Sequence, residues 1–330
     1  MISESKLLIT ICVPIYGVEK YIERCAVSLF EQTYNNIEYI FVDDCSPDKS
    51  VEVLQNVMNR YPSRLGQVRL IRHPENKGLG EARNTAVREA KGDYILHVDS
   101  DDYIDTDVVS KLTECQSHTN ADIICYPKRM IYKDRIVVEK QVTYPSPRAM
   151  LNDILLCKIS GNIWGKLILT SLYRDNNIQV EGGVNQSEDF QVISRLLYYA
   201  KNIAYIDTPY YNYDHTLDTS YTNSMTKGSF RQVRVTQSLL VDFFQQKGCP
   251  DLVQLMWVGA TIAHCRSKIK FAKDKNWKMF DYLSLLVDEE MSYCNRKVPI
   301  KQKIIASVKN HCIFSLLVRI IGIGSVLIHL

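Results

Sequence analysis

A chain of 330 residues that is 46% hydrophobic can bury a large core and exceeds the usual size of one compact domain, so a main domain with a smaller C-terminal appendage is expected. Lys and Arg total 40 against 37 Asp and Glu, a balance that argues against a strong global field and a nucleic-acid partner; any phosphate binding must be local. The ten cysteines show no C-x₂₋₄-C pairing, which removes the simplest structural zinc site, and their place in apolar runs behind an N-terminus without a cleavable signal pattern points to a reducing cytoplasm.

Leu7 to Val13 reads as a buried strand that Pro14 stops where a backbone donor would otherwise be needed. The loop PIYG follows, and Val18 to Gln32 has the apolar spacing of a crossover helix. A second apolar run, Ile37 to Val42, ends in Asp43-Asp44-Cys45-Ser46-Pro47, and a helix begins near Lys49. Val68 to Ile71 reads as a short strand, Glu81 to Ala90 as a helix, and Tyr94 to Val98 as a strand that closes on Asp99-Ser100-Asp101-Asp102. Four strands alternating with helices imply a parallel sheet with right-handed crossovers, and such sheets bind ligands beyond the carboxyl ends of their strands. Tyr16, Asp43-Asp44 and the Asp99 to Asp102 cluster all fall there. A plainer reading of such residues is helix capping, and for Ser46 and Asp48 it is the favoured one.

Beyond Asp122 the pattern gives a strand at Ile123 to Tyr126, a hairpin near Tyr132 to Val142 and a helix around Arg148 to Lys158. A helix from Ser187 to Ala200 and a strand from Ile203 to Ile206 complete the main domain, set at 1–225. Residues 226–330 read as helical throughout.

Asp99-Ser100-Asp101 places two carboxylates two residues apart at a strand end, where both can reach one hard divalent cation, Mn²⁺ or Mg²⁺, whose other ligands are water and phosphate. Such an ion would neutralise charge on a departing diphosphate. Glu188-Asp189 opens a helix, where the pair either supplies a general base or complements the helix dipole; residue physics alone leaves the two readings level. Lys77 and Arg83, in ENKGLGEARN, flank glycines that let backbone approach a ligand. The G-x-G there is too short for a dinucleotide fingerprint.

The motifs VPIYGVEKYIERCAVSLFEQTY, IEYIFVDDCSPDKS, NKGLGEARNTAV, GDYILHVDSDDYI, IWGKL and SEDFQV, in this order across residues 7–221, resemble glycosyltransferase family 2, the inverting enzymes of GT-A fold that build bacterial capsule, lipopolysaccharide and exopolysaccharide. The resemblance implies an α/β fold with a mostly parallel sheet flanked by helices and a nucleotide-sugar donor. It implies that Pro14 and Tyr16 line the nucleoside pocket and that Asp44 bonds the base, for which a uracil N3–H is the natural partner. Asp99 would face ribose and metal with Ser100 beside it, Asp101 would be the main metal ligand, and Lys77 and Arg83 would hold the donor. Asp189 would be the base and Glu188 an acceptor-positioning neighbour. Trp164 and Lys166 match a W-x-K element near which a sugar is expected; the plainer reading is a core tryptophan with a solvated lysine. Gly17 stands where asparagine is usual, and Asp214 and His215 where arginine is usual, which leaves His215 as a candidate phosphate or sugar contact.

Residues 296–330 join a basic flank to the apolar stretch CIFSLLVRIIGIGSVLIHL, a pattern suited to an anionic membrane surface and a lipid-linked saccharide acceptor, or equally to packing on the main domain. The expected activity is metal-dependent transfer of a sugar from a UDP-sugar to a saccharide hydroxyl at the cytoplasmic face of the membrane. A nucleotidyltransferase, or a binding module without turnover, is the competing class.

Overall fold

The computed structural model describes residues 6–181, 183–216 and 226–294, together with Lys303 and Ala306. In chain order the main elements are β1 (Ile9–Ile15), α1 (Ile22–Phe30), β2 (Ile37–Asp43), α2 (Ser50–Arg60), β3 (Val68–Arg72), α3 (Leu79–Glu89), β4 (Tyr94–His97), β5 (Tyr103–Ile104), α4 (Val108–Thr119), β6 (Ile123–Cys125), β7 (Lys128–Ile131) and β8 (Ile136–Val138). They continue with α5 (Pro147–Leu155), β9 (Lys166–Leu169), α6 (Thr170–Asp175), α7 (Glu188–Tyr199), β10 (Ile203–Tyr205), β11 (Tyr211–Asp214), α8 (Lys227–Gln246), α9 (Pro250–Lys273) and α10 (Trp277–Tyr293).

Seven strands form the main sheet in the order β10-β6-β9-β4-β1-β2-β3. Every pairing is parallel except those of β9, which runs antiparallel between β4 and β6. All seven residues of β1 and of β2 are buried, Thr10, Glu38 and Asp43 included, as expected of mainly apolar strands when both faces of a sheet are covered. Fully buried side chains such as Ile11, Phe41 and Leu96 each contribute roughly 1.5–3 kcal/mol of transfer free energy.

Several boundaries differ from the sequence expectation. Strand β1 does not stop at Pro14 but runs to Ile15, with Pro14 opposite Val42. The Cys12 carbonyl accepts from Val98 on the β4 side, so Pro14, two residues on, turns its donor-less nitrogen toward the same side, where β4 has already ended at His97. Helix α1 starts at Ile22 because Val18 to Tyr21 form a turn, with Tyr21 and Ile22 both donating to the Val18 carbonyl. The hairpin lies earlier than expected, its turn closed by the Tyr132 N–H on the Arg135 carbonyl. Helix α4 and strands β5, β9 and β11 were not foreseen; each is short or of mixed polarity, so its apolar period is weak.

A second sheet, β5-β11-β7-β8, carries the aromatic residues of β11 on one face. Tyr211 and Tyr213 alternate there with Asn212 and Asp214, which turn to Asp105 and Arg24.

The described residues of 6–147 and 162–216 form one compact unit, and those of 148–161 and 226–294 a second. Residues 148–161, expected within the main domain, group with the helices that follow it. In that helical unit the reason is close packing: a Cβ at Gly259, in the middle of α9, would lie 1.7 Å from the Leu155 carbonyl oxygen of α5. Thr226 caps α8 in a reciprocal pair with Ser229, and Phe280, Leu283 and Val287 of α10 are buried in its cores. No helix among the described residues is long and apolar enough to cross a membrane. The apolar stretch at 296–330 and the chain around Tyr221 lie outside the described residues, Lys303 and Ala306 apart.

Candidate active site

The carboxyl ends of β1, β2 and β4 meet at one edge of the main sheet, because these strands are sheet neighbours in parallel register. Pro14 is buried there and Tyr16 stands 52% exposed. Ser46 and Asp48 brace the loops beyond β1 and β2: the Gly17 N–H donates to Ser46 Oγ at 3.4 Å, and the Glu19 N–H to Asp48 Oδ2 at 3.0 Å. Asp48 Oδ1 also accepts from the Ser50 N–H at the start of α2, a cap-like contact.

Asp44 is buried under three donors. Its Oδ1 lies 2.7 Å from His73 Nδ1 and accepts from the Lys77 N–H at 2.9 Å, while Oδ2 accepts from the Gly78 N–H at 2.7 Å. His73 Nε2 lies 3.0 Å from Thr85 Oγ1 on α3, so one imidazole ties the end of β2 to that helix. Lys77 thus meets Asp44 through its backbone, and its side chain is exposed. The two glycines of this loop allow close approach within the chain itself. A Cβ on Gly78, whose φ is +88°, would sit 2.3 Å from the Asn185 amide, and one on Gly80 would sit 2.5 Å from the Val184 carbonyl oxygen. That approach brings α3 against the segment leading into α7.

Arg83 is the consequence. Its guanidinium, on α3 and 4% exposed, donates from Nη2 to Asp99 Oδ1 at 2.8 Å and from Nη1 to Glu188 Oε1 at 2.6 Å and Asp189 Oδ1 at 2.5 Å. Burial opposes its charge, but Asp189, Asp99 and Glu188 more than offset this and raise its pKa. Burial likewise raises both Asp189 and Glu188 above the usual carboxylate range, with Arg83 pulling the other way. Asp189 Oδ2 accepts from the Ile163 N–H at 3.2 Å. The first-turn carboxylates of α7 are therefore joined to the end of β4 by a single cation.

Asp99, Ser100, Asp101 and Asp102 form a turn closed by the Asp102 N–H on the Asp99 carbonyl. Tyr211 donates to Asp102 Oδ2 at 2.8 Å and accepts from the Asp99 N–H at 3.2 Å, and the Asp214 N–H donates to Asp102 Oδ1 at 2.9 Å. From α1, Arg24 donates to the Asp101 carbonyl at 2.9 Å and pairs with Asp214 Oδ2 at 2.6 Å. Burial first and then Asp99 push the Asp101 carboxyl up to about 6. Burial and neighbouring carboxylates raise Asp102 as well; a cation would relieve that like charge, and Asp99 and Asp101 offer the hard oxygens that Mg²⁺ or Mn²⁺ prefers. Among the described residues no three His, Cys, Asp or Glu side chains converge as a metal cage, so water and phosphate would complete the coordination.

Trp164 stacks on Tyr211 at 4.6 Å and on Tyr213 at 5.4 Å, beside this turn. Lys166 is not solvated: it is 7% exposed and donates to the carbonyls of Asn162 at 2.6 Å and Trp164 at 3.5 Å. His215 stacks on Tyr132 at 4.7 Å, exposed on the aromatic face of the small sheet. His73, Arg24 and Tyr211 were not singled out from the sequence. The alternation YNYD could have marked Tyr211; nothing local marks the other two.

A mostly parallel α/β sheet with an acidic turn at the end of a central strand defines the GT-A class of nucleotide-sugar folds, here with a helical C-terminal region. The chain matches the sequence profile of glycosyl transferase family 2 over residues 10–171. It is 31% identical over 189 residues to the uncharacterized glycosyltransferase EpsJ of Bacillus subtilis strain 168, covering 55% of this chain and 54% of that protein. It is 26% identical over 207 residues to the poly(ribitol-phosphate) beta-N-acetylglucosaminyltransferase TarS of Staphylococcus aureus strain Mu50, covering 62% of this chain and 35% of TarS. The chain thus spans about half or less of the length of these relatives. Among solved structures, that of S. aureus TarS 1–349 in complex with UDP-GlcNAc superposes with a TM-score of 0.71 at 17% identity, over 96% of this chain and 92% of that one, a likeness of fold.

Proposed function

We propose that this protein transfers a sugar from a UDP-sugar to a saccharide hydroxyl, free or lipid-linked, in surface polysaccharide synthesis, with inversion at the anomeric carbon. The observation that carries the reading is Arg83, which joins Asp99 at the donor side to Asp189 at the acceptor side. Pro14 and Tyr16 flank the nucleoside, and Asp44 accepts from uracil N3–H, its carboxylate pre-set by His73 and two backbone donors. Asp99, with Ser100 beside it, faces the ribose. Asp101, with Asp99, would hold Mn²⁺ or Mg²⁺, which when bound would supply positive charge against the diphosphate. Lys77 and Arg83 lie toward the donor phosphates. Asp189 accepts the acceptor hydroxyl proton as that oxygen bonds to the anomeric carbon, the bond from that carbon to the diphosphate breaks, and the nucleoside diphosphate leaves. Glu188 orients the acceptor, with Trp164 and His215 as candidate sugar contacts. The complex of TarS 1–349 with UDP-GlcNAc supports a UDP-sugar donor for the shared fold. The reading keeps a cytoplasmic location, with 296–330 at the membrane surface.

The test is release of UDP from UDP-GlcNAc and related donors, with Mn²⁺ and with chelator. Metal-dependent release that Asp101→Ala abolishes is the expected result. Silence with every donor, or turnover indifferent to Asp101, would overturn the reading in favour of a binding module or a different chemistry.

A further inference from the structure

Lys166 was expected near a sugar, yet its ammonium points into the protein. The carbonyls it holds belong to Asn162 and Trp164, on either side of Ile163. The Asn162 carbonyl and the Ile163 N–H are two ends of one planar peptide group and point in opposite directions. Lys166 Nζ donates to the carbonyl end at 2.6 Å, while the N–H end donates to Asp189 Oδ2 at 3.2 Å. Ammonium, peptide group and carboxylate are thus in series. The cation polarises the peptide in the sense that strengthens its N–H as a donor. Gly165, at φ +70°, turns the chain between Trp164 and Lys166, and its carbonyl is fixed by the Tyr126 N–H at 3.1 Å.

We propose that Lys166 is a positioning residue for Asp189, acting through the Asn162–Ile163 peptide group whose carbonyl it grips and whose N–H orients the carboxylate. The inference rests on Asp189 being the general base. A buried cation in this place does two things: it holds one oxygen of the base in fixed orientation, and it favours the ionised form that takes the proton. Arg83 from α3 and Asp99 beyond β4 also act on Asp189, and Glu188, beside it on α7, shares the Arg83 guanidinium. Arg83 and Lys166 favour the carboxylate, and Asp99 opposes it.

The experiment compares wild type, Lys166→Met and Lys166→Arg by the pH dependence of UDP release from UDP-GlcNAc and by hydrogen exchange of the Ile163 amide. In Lys166→Met the acidic limb should move to higher pH by on the order of one unit, because a base that loses a nearby cation ionises later. The Ile163 amide should exchange at least about tenfold faster, a loss of about 1.4 kcal/mol of protection. Lys166→Arg keeps a cationic donor and should restore both. An unmoved limb with the Ile163 amide still protected in Lys166→Met overturns the proposal, as does a folded Lys166→Arg that restores neither. Should Lys166→Met not fold, the ¹⁵Nζ resonance of Lys166 in Asp189→Asn decides: a shift from wild type supports the coupling, and an unchanged resonance overturns it. Asp189→Asn that keeps full turnover would sink the base assignment, a failure separate from that of the Lys166 link.

Discussion

Arg83 Nη1 lies 2.5 Å from Asp189 Oδ1, so the carboxylate proposed to take a proton is paired with a guanidinium whose other arm holds Asp99. The pairing weakens the carboxylate as a base, against the burial that strengthens it, and the same guanidinium would be drawn toward a donor diphosphate. The site therefore links its two halves through one side chain, with consequences for both stability and rate.

Removing that side chain leaves three buried or half-buried carboxylates without their shared partner. Arg83→Ala is expected to cost about 3–5 kcal/mol of unfolding free energy, the range for breaking a buried ion pair from one side. Urea denaturation with the slope unchanged checks it, and a loss below about 1 kcal/mol contradicts it.

The carboxylates of the E-D pair should separate kinetically. Asp189→Asn removes proton acceptance and is expected to lower the rate of UDP release about 10²–10⁴-fold, the span of general-base contributions. Glu188→Gln, which keeps a hydrogen-bonding side chain next to Arg83, should cost far less. Equal losses in the two variants would contradict the division of roles.

His97, 1% exposed, lies at the end of β4 with Nε2 2.9 Å from the Tyr173 hydroxyl, and burial first, then Arg83, push its pKa down to about 3. Unfolded histidine titrates near 6.5, so between about 6.5 and 3 the unfolded chain binds the extra proton. Its contribution to stability is complete above about 6.5 and is lost as pH falls through that window, at up to about 1.4 kcal/mol per unit. The raised carboxyls Asp101 and Glu188 act with the opposite sign, because in the folded protein they bind protons more readily. The difference between wild type and His97→Gln isolates the histidine: between pH 7 and 5 the wild type should lose ground relative to the variant. A constant difference would rule it out.

Gly78 combines φ +88° with a Cβ position 2.3 Å from the Asn185 side chain. Gly78→Ala should destabilise by roughly 1–3 kcal/mol, since an L-residue is strained there and the amide must move. Because the loop also supplies two backbone donors to Asp44, donor KM should rise more than kcat falls. A variant with unaltered melting and KM would show that the close approach is dispensable.

How much of this was legible beforehand follows from the range of the forces involved. The short, mainly apolar runs of β1, β2 and β4, each followed by a turn and a helix, read as strands covered on both faces, and each delivers polar residues to the same sheet edge, so Asp44 and Asp99 to Asp102 were placed by the strand–helix alternation. Strand β9 escaped because four residues of a K-L-I-L run carry no period, and its antiparallel place between β4 and β6 is a matter of sheet assembly. Pro14 reads as a strand terminator only while its neighbours are unknown.

The sequence by itself determined the strands, the crossover helices and the acidic strand ends, because burial leaves a period along the chain. Only the tertiary structure decided that Arg83 meets Glu188, 105 positions away, that His73 holds Asp44, and that Lys166 faces inward to a peptide group rather than outward to water. Local composition states whether a side chain is buried or charged. The partner that satisfies it is chosen by how glycines such as Gly78 and Gly80 let distant segments approach, and that information is carried by packing across the fold.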